Sequence, residues 1–257
     1  MKFSVLGSGS KGNCTLVEAG STRLLIDNGF SGKEILSRLQ RLGIDPESLT
    51  ALVVTHEHDD HVKGVGVLAR RLDLPIYANA ATHRAAELRI GKASRLEFAT
   101  GEAFVVEGLQ VHPFAVSHDT VDPVGFVVSD GNCSLGYCTD TGKITRLIEH
   151  RLTQCQALIL EANHDVRMLK EGPYPLALQQ RVLSNQGHLA NTDAVAFAAG
   201  LAEGRLRLLV LAHLSEVNNH PDLLLREARQ RLPEDDQALR ILLSRQGQPS
   251  PLLEIVP

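Results

Sequence analysis

Residues 55–61 read THEHDDH, which places six metal-capable side chains in seven positions. The stretch follows the apolar run ALVV, residues 51–54, and precedes VKGVGVLARRL, residues 62–72, which has helical spacing. Imidazole nitrogens and carboxylate oxygens are ligands that zinc, manganese and iron accept in proteins. Because the stretch directly follows a predicted buried strand, it indicates a metal site at a strand end rather than a solvated histidine-rich loop.

The spacing within the motif divides its ligands into two pairs. His56 and His58 alternate along an extended segment, so their side chains point the same way and can hold one ion. Asp60 and His61 are adjacent in the turn that follows, and they diverge enough to serve a second ion. Four ligands at this spacing do not easily converge on one tetrahedral ion. The motif therefore predicts two metals.

Three further metal-capable residues end apolar runs later in the chain. His118 follows FAVS, Asp140 follows SLGYCT, and His213 follows RLLVLA. The carboxyl ends of strands are where α/β sheets place their ligand sites, so we expect these residues to join the motif. The residues that we place outside the metal set, as outward-facing, surface or packing residues, are Glu57, Asp59, His83, His112, His150 and His220.

The composition of the 257 residues, 43% hydrophobic and 22% charged, is that of an ordinary globular protein. The formal net charge of -4 does not indicate the basic surface that general nucleic-acid binding requires. It leaves room for a local basic patch or for phosphate binding through metals. We expect one domain over residues 1–257, because α/β folds often reach this length undivided.

The start of the chain, its longest apolar runs and its cysteines predict the cellular compartment. The start, MKFSVLGSGSKGNC, has too few apolar residues to be a signal peptide, and no apolar run approaches the roughly 18 residues that span a bilayer. The cysteines at 14, 133, 138 and 155 show no CxxC spacing, so we interpret them as reduced, mostly buried thiols. These features predict a cytoplasmic protein without a membrane segment.

The order of predicted elements indicates two sheets. KFSVL, NCTLVEA and TRLLIDN are predicted strands, the last two forming a hairpin, and residues 31–43 have the spacing of a helix that ends at glycine. Residues 103–140 are rich in strands, and the remainder alternates helices with strands. It includes a helical region at 175–203 that is broken near NQGHLAN. This order predicts two sheets packed face to face with helices outside, rather than a regular βαβ array.

A glycine pattern near the start imitates a dinucleotide fingerprint. Gly7, Gly9 and Gly12 spell G-x-G-x-x-G, but that fingerprint requires a helix directly after the glycines. Residues 13–19, NCTLVEA, alternate apolar and polar side chains and predict a strand instead. The pattern therefore indicates a turn between two strands. Side chains of this turn that we retain as candidates for substrate binding are Ser10, Lys11 and Asn13.

The pattern H-x-H-x-D-H followed by a spaced His, Asp and His resembles the metallo-β-lactamase superfamily over almost the whole chain. The resemblance implies an α/β fold, a four-layer αββα sandwich with a dinuclear site at one sheet edge. It implies a first metal held by His56, His58 and His118. It also implies a second metal held by Asp60, His61 and His213, with Asp140 bridging both and Asp27 bracing the metal loop.

Further stretches narrow the resemblance to the YycJ/WalJ-type proteins: SVLGSGSKGNCTLVE, SHDTVDPVGF, TDTG, LEANHD and GHLANTDA. That type implies a metal-dependent phosphodiesterase that acts on DNA, as an exonuclease, by attack of a metal-bridged hydroxide. DNA is favoured over RNA as the partner, and the cofactors are two divalent ions, Zn, Mn or Fe. The β-CASP insert of larger relatives is missing, because no insert of that size separates Asp140 from His213.

Residues outside the metal set supply candidates for the chemistry. Asp60 and Asp140 are alternative acceptors for the proton of the attacking water. His188 in GHLAN, with Asn163 and His164 in LEANHD, would hold phosphate or protonate the leaving group. Two other function classes stay open, namely a thioester or β-lactam-type hydrolase and a catalytically silent metal-binding sensor or partner protein.

Overall fold

A computed structural model describes residues 1–232 and 239–256, and within these ranges the backbone forms two seven-stranded sheets. The first sheet contains β1 (Lys2–Gly7), β2 (Cys14–Ala19), β3 (Thr22–Ile26), β4 (Ala51–Val53), β5 (Ile76–Ala78), β6 (Arg95–Glu97) and β14 (Leu253–Glu254). The second sheet contains β7 (Phe104–Val106), β8 (Leu109–Ala115), β9 (Val124–Ser129), β10 (Ser134–Cys138), β11 (Ala157–Glu161), β12 (Leu208–Ala212) and β13 (Arg240–Leu243).

The two sheets share one topology. The first has the spatial order β14-β1-β2-β3-β4-β5-β6, in which the first four strands pair antiparallel and the last four pair parallel. The second repeats this with the order β7-β8-β9-β10-β11-β12-β13. Parallel strands run in the same direction, so their carboxyl ends meet at one edge of each sheet. The loops at these edges carry the predicted ligands.

The helices lie between the strands in the chain. Their bounds are α1 (Gly32–Arg41), α2 (Asp59–Val62), α3 (Val65–Leu72), α4 (Ala80–Ala85), α5 (Glu87–Ile90), α6 (Arg146–Leu152), α7 (Val166–Glu171), α8 (Leu176–Val182), α9 (Asn191–Ala202) and α10 (Pro221–Arg231), with a 3₁₀ turn at Pro46–Ser48. The start of α1 is fixed by a capping box, in which Ser31 accepts from the Glu34 amide and Glu34 accepts from the Ser31 amide.

Alternating side chains place the sheets face to face. In β3, Leu24 and Ile26 join a core shared with the second sheet, whereas Leu25 packs in the separate core beneath the helices of the first half. In β12, Val210 faces the shared core and Leu211 packs toward the helices of the second half. Strand side chains point to opposite faces in turn, so each sheet buries both faces. The predicted four-layer αββα sandwich is confirmed.

Most predicted elements occupy their expected places, and short ones account for the differences. The helical region predicted at 175–203 is two helices, α8 and α9, separated by the loop around NQGHLAN. Helix α7 and the edge strands β6 and β14 were not predicted. Each has six residues or fewer, too short for a periodic pattern to stand out.

The cysteines lie inside the fold, as predicted. Cys14, Cys133, Cys138 and Cys155 are all free and buried. Burial raises the pKa of the Cys155 thiol to about 11, which keeps it protonated and unreactive. Separately, no helix within residues 1–232 and 239–256 combines the length and apolar character needed to cross a bilayer.

Close backbone contacts hold the metal-motif loop against the loop after β3. A Cβ added at Gly64 would lie 1.8 Å from the Phe30 carbonyl oxygen, and one at Gly29 would lie 1.9 Å from the Asp60 carbonyl oxygen. Neither distance is compatible with a side chain, so these glycines allow the two loops to touch. The motif is thereby tied to the segment that begins with Asp27.

We predict that Gly64→Ala lowers the free energy of unfolding by about 1–3 kcal/mol or more, because the backbone of one loop must move away. Gly200→Ala is the matched control: Gly200 lies on an exposed part of α9 with open space around its Cβ position. There alanine should stabilise the helix by about 0.5–1 kcal/mol. Urea unfolding followed by circular dichroism measures both. Equal stabilities of the two variants would contradict the close approach.

Candidate metal centre

The predicted ligands converge at one edge of the sandwich. The backbone there has an unusual conformation at several residues that follow strands. His56 follows β4, and His58 is the N-cap of α2. Asp27, Asp140 and His213 each follow a strand with a left-handed backbone, at φ of 60°, 57° and 56°. This conformation disfavours residues other than glycine by roughly 1–2 kcal/mol, so the surrounding contacts must hold these three side chains in place.

The first group of ligands consists of His56, His58 and His118, whose ring nitrogens lie within 4.8 Å of one another. The Nδ1 atom of His58 is 3.2 Å from the Nε2 atom of His118. The other nitrogens are fixed from outside, since His118 Nδ1 lies 3.1 Å from the Gly187 carbonyl oxygen and His56 Nδ1 lies 2.9 Å from the Thr55 hydroxyl. The rings of His56 and His118 are thus each anchored through Nδ1, which leaves Nε2 directed toward the group.

The second group consists of Asp60, His61 and His213, again within 4.8 Å of one another. Asp60 Oδ2 lies 3.6 Å from His61 Nε2 and 3.5 Å from His213 Nε2. The far nitrogens are held by buried carboxylates: Asp27 Oδ2 is 2.8 Å from His61 Nδ1, and Glu161 Oε1 is 2.8 Å from His213 Nδ1. Such contacts fix the ring tautomer and direct the opposite nitrogen into the site.

Asp140 lies between the two groups. Its Oδ2 atom is 3.3 Å from His61 Nε2, and its Oδ1 atom is 3.8 Å from His118 Nε2. Asp140 also forms a ligand group with His56 and His61, which links the two halves of the site. Its position therefore suits a bridging carboxylate.

The residues fit a divalent metal, as the state of their polar atoms indicates. His56 Nε2, His213 Nε2 and Asp140 Oδ2 are buried and have no hydrogen-bond partner anywhere in residues 1–232 and 239–256. A buried polar atom without a partner is costly unless it binds something else. Together with the nitrogen and oxygen donors already described, these atoms form a set that divalent metals accept. The fold and the donor groups support divalent metal use.

The sequence did not single out Glu161, the last residue of β11. Its side chain is fully buried and accepts four hydrogen bonds, from the backbone amides of Thr141 and Leu189 at 3.0 and 3.1 Å and from Nδ1 of His188 and His213 at 2.8 Å each. The signal was present in LEANHD, where an acidic residue ends the buried strand between those that carry Asp140 and His213. The sequence pattern draws attention to Asn163 and His164 of that stretch instead.

Burial and neighbouring charges shift the pKa values of the histidines and carboxylates of the site, some upward and some downward. Burial lowers the pKa of His61 and His213, but the neighbouring carboxylates, chiefly Asp140, outweigh it and raise both well above the usual value. Burial alone dominates at His56 and lowers its pKa. Although burial raises the pKa of Glu161, its histidine partners overcome this and bring it to about 2. The carboxylates are therefore ionised, and the raised pKa of His61 and His213 reflects the attraction that these carboxylates exert on positive charge at this position.

The candidate substrate residues lie in three different environments. Ser10 and Lys11 are exposed on the loop between β1 and β2, with Lys11 Nζ paired to Glu216. Asn13 is fully buried, and its Nδ2 lies 3.2 Å from Asp60 Oδ2 and 3.1 Å from His61 Nε2. His188 is 17% exposed at the edge of the ligand groups.

The residues of LEANHD after Glu161 are also inside the protein. Asn163 is buried and its Nδ2 donates to the His213 carbonyl oxygen at 3.0 Å. His164 is buried, and across the described parts of the chain neither of its ring nitrogens has a hydrogen-bond partner. Asn163 therefore supports the backbone of a ligand rather than facing open space.

The residues placed outside the metal set are separate from the ligand groups. Asp59 is exposed and paired with Arg89, and Glu57 accepts from the Val121 amide at 3.0 Å. His83 is buried with Nε2 against the Leu96 carbonyl oxygen. The remaining three, on strand or helix surfaces, are His112, His150 and His220.

Comparison with known proteins places this geometry in context. Residues 22–213 match the family model described as the beta-lactamase superfamily domain. The chain is 38% identical over 226 residues to exodeoxyribonuclease YycJ of Bacillus anthracis, covering 87% of this chain and 86% of that one. It is 37% identical over 227 residues to exodeoxyribonuclease WalJ of Streptococcus pneumoniae, covering 86% and 84%.

Solved structures agree on the fold. The metallo-β-lactamase fold protein YhfI from Bacillus subtilis superposes with a TM-score of 0.74 at 20% identity, covering 97% of this chain and 98% of that one. At this identity the likeness concerns the arrangement of strands and helices only.

We predict that Glu161→Gln weakens metal binding about 10- to 100-fold, because the amide cannot accept from both imidazoles while keeping its backbone contacts. Zn²⁺ or Mn²⁺ affinity is measured by competition with a chromogenic chelator. Glu149→Gln is the control, since Glu149 lies exposed on α6. Unchanged affinity in the Glu161 variant, with the fold intact by circular dichroism, would refute this supporting role.

Proposed function

This chain belongs to the metallo-β-lactamase superfamily as a YycJ/WalJ-type member, and from that membership we propose that it is a metal-dependent exonuclease acting on DNA. The observation that carries the proposal is the match over more than four-fifths of the chain to two proteins named exodeoxyribonucleases. The dense set of nitrogen and oxygen donors at one sheet edge supports hydrolytic chemistry. DNA is proposed over RNA because both of these relatives are named for DNA.

We propose that the site holds two divalent ions. His56, His58 and His118 would bind the first, Asp60, His61 and His213 the second, and Asp140 both; the ligand geometry supports this division. The donor types suit zinc, manganese or iron. Ions in such a site lower the pKa of bound water and neutralise charge on phosphate oxygens during hydrolysis.

His188 is our candidate for delivering a proton to the leaving group. Its Nδ1 is held by Glu161, so its Nε2 is the nitrogen available to substrate, and its partial exposure leaves it accessible. Burial lowers the pKa of His188, but Glu161 outweighs this and raises it above the usual value, which favours a ring that carries a proton to give.

The carboxylates Asp60 and Asp140 are proposed to accept the proton of the attacking water. Both lie among the histidines and both have a lowered pKa: although burial raises it, the histidine charges prevail. Asp140 is the more buried of the two, and Asp60 retains some exposure toward solvent. An exposed acceptor can pass a proton onward, so Asp60 is the better placed.

The residues expected to bind substrate divide into two roles. In place of direct contact, we propose a positioning role for the buried Asn13 and Asn163, because they donate to Asp60 and to the His213 backbone. His164 is equally buried and is proposed to act only through the packing of the loop. Ser10 and Lys11, which are exposed, stay as candidates for contact with the nucleic acid.

We predict that the purified protein with Mn²⁺ or Zn²⁺ hydrolyses DNA, and that His58→Ala and Asp140→Ala each lower kcat/KM by about 10³-fold or more and reduce bound metal. Duplex DNA, single-stranded DNA, RNA and a thioester panel are compared in one assay, with metal content measured by mass spectrometry. His150→Ala, an exposed residue on α6, is the control and should match wild type. Hydrolysis of the thioesters without hydrolysis of any phosphodiester would replace the nuclease proposal with a thioester hydrolase. Absence of all turnover would indicate a metal-binding sensor.

We predict that His188→Ala lowers kcat by about 10²- to 10⁴-fold while leaving metal content unchanged, because it removes a proton donor and not a ligand. The matched substrate test uses a phosphodiester with a p-nitrophenolate leaving group, which departs without protonation. On that substrate the variant should retain most of its activity. Loss of metal together with activity would reassign His188 to the ligand set.

A further inference from the structure

An arginine–carboxylate pair stands beside the metal ligands. Arg181, near the end of α8, donates from Nε to Asp119 Oδ2 at 2.5 Å and from Nη2 to Asp119 Oδ1 at 3.1 Å. Asp119 directly follows His118, and its Oδ1 atom is 3.6 Å from His118 Nε2. The two-pronged pair therefore lies next to the ring nitrogen that faces the first ligand group.

The position of Arg181 is fixed relative to His188. The Arg181 carbonyl oxygen accepts from the Ser184 amide at 3.2 Å, and the Val182 carbonyl oxygen accepts from the His188 amide at 3.0 Å. The turn after α8 thus connects both residues, and the Gly187 carbonyl oxygen within it lies 3.1 Å from His118 Nδ1. Arg181 and the proposed proton donor therefore belong to one hydrogen-bonded segment that contacts a proposed ligand.

The pair is open to exchange with an anion. Arg181 is 49% exposed and Asp119 is 32% exposed, so water reaches both partners and the contact is screened. A guanidinium presents its donors in a flat fork that fits a phosphate as well as a carboxylate. The hydrogen bonds that Arg181 donates to Asp119 raise the pKa of Arg181, so the guanidinium stays charged and available to an anion.

We propose that Arg181 binds a backbone phosphate of the nucleic acid next to the one being cleaved, with Asp119 holding the guanidinium in place until that phosphate displaces it. The inference rests on the proposed nuclease function and deepens it by naming a contact for the strand. Asp119 then acts as a competitor of the substrate, so its removal and that of Arg181 should have opposite effects.

The chain contains a second arginine–aspartate pair of the same kind, for which we expect no role in phosphate binding. Arg89 forms the same two-pronged contact with Asp59, and Asp59 likewise neighbours a proposed ligand, Asp60. Asp59 is 64% exposed against 32% for Asp119, and among the described residues its ion pair is with Arg89, whereas Asp119 also lies 3.6 Å from His118 Nε2. Arg89 therefore serves as the control.

The test measures binding of a fluorescein-labelled single-stranded oligonucleotide with phosphorothioate linkages, which resist hydrolysis, to the metal-loaded protein by anisotropy at several salt concentrations. Arg181→Ala should weaken binding about tenfold and reduce the salt slope by about 0.7, the value for one lost phosphate contact on a single strand. Arg181→Lys should keep the slope and lose part of the affinity, because charge survives without the fork. Arg89→Ala should change neither.

Asp119→Asn provides the decisive comparison. If a phosphate of the nucleic acid displaces Asp119 from Arg181, this variant should bind the oligonucleotide more tightly than wild type, with unchanged metal content. If the pair only stabilises the fold, Asp119→Asn and Arg181→Ala should both weaken binding and both lower Tm. That result would overturn the inference.

A small phosphodiester, bis(p-nitrophenyl) phosphate, separates this inference from the proposed function. It has no neighbouring phosphate, so the Arg181→Ala variant should lose less kcat/KM on this compound than on single-stranded DNA. An equal loss on both substrates would overturn the role of Arg181 as a strand contact. A wild-type protein that cleaves neither this compound nor DNA would instead refute the nuclease proposal, while the anisotropy results would still decide whether Arg181 binds phosphate.

Discussion

A single buried carboxylate, that of Glu161, connects the parts of the site that come from different loops. It accepts from the loops after β10 and before α9 through backbone amides, and from two imidazoles through their Nδ1 atoms. An ion buried this deeply is stable only because all its acceptor sites are used. The same contacts orient His213, the proposed ligand, and His188, the proposed proton donor. Asp27 has the equivalent place under His61 in the first half.

The topology explains why both carboxylates stand where they do. Asp27 follows β3 and Glu161 ends β11, and both strands belong to the parallel parts of their sheets. Parallel strands deliver their carboxyl ends to one edge, so buried acidic residues there can support ligands on the neighbouring loops. Left-handed backbone at Asp27, Asp140 and His213 then turns the chain sharply enough for side chains to point back over that edge. The repeated strand order thus yields two half-sites that face each other.

Sequence patterns were informative where a residue's role depends on its neighbours in the chain. THEHDDH, and the strand-ending His118, Asp140 and His213, stood out because alternation and strand ends are local properties, and the αββα layers followed from the order of elements. Glu161 could not be singled out because its role depends on contacts with His188 and His213, which lie 27 and 52 positions away in the chain. Asn13 is a candidate for substrate contact in a polar turn, yet its side chain is buried against Asp60, a contact across 47 positions. Such packing has no signature in a single sequence.

The distribution of the ligands along the chain has a consequence for the order in which the protein is made. THEHDDH is synthesised before most of the second sheet, whereas His213 follows β12, the strand next to the last in that sheet. Until β12 pairs with β11, Asp60 and His61 lack their third partner, and Glu161 lacks one of its imidazoles. The donor set is therefore complete only when the second sheet closes, so any chemistry that needs all of these side chains depends on the last strands of that sheet.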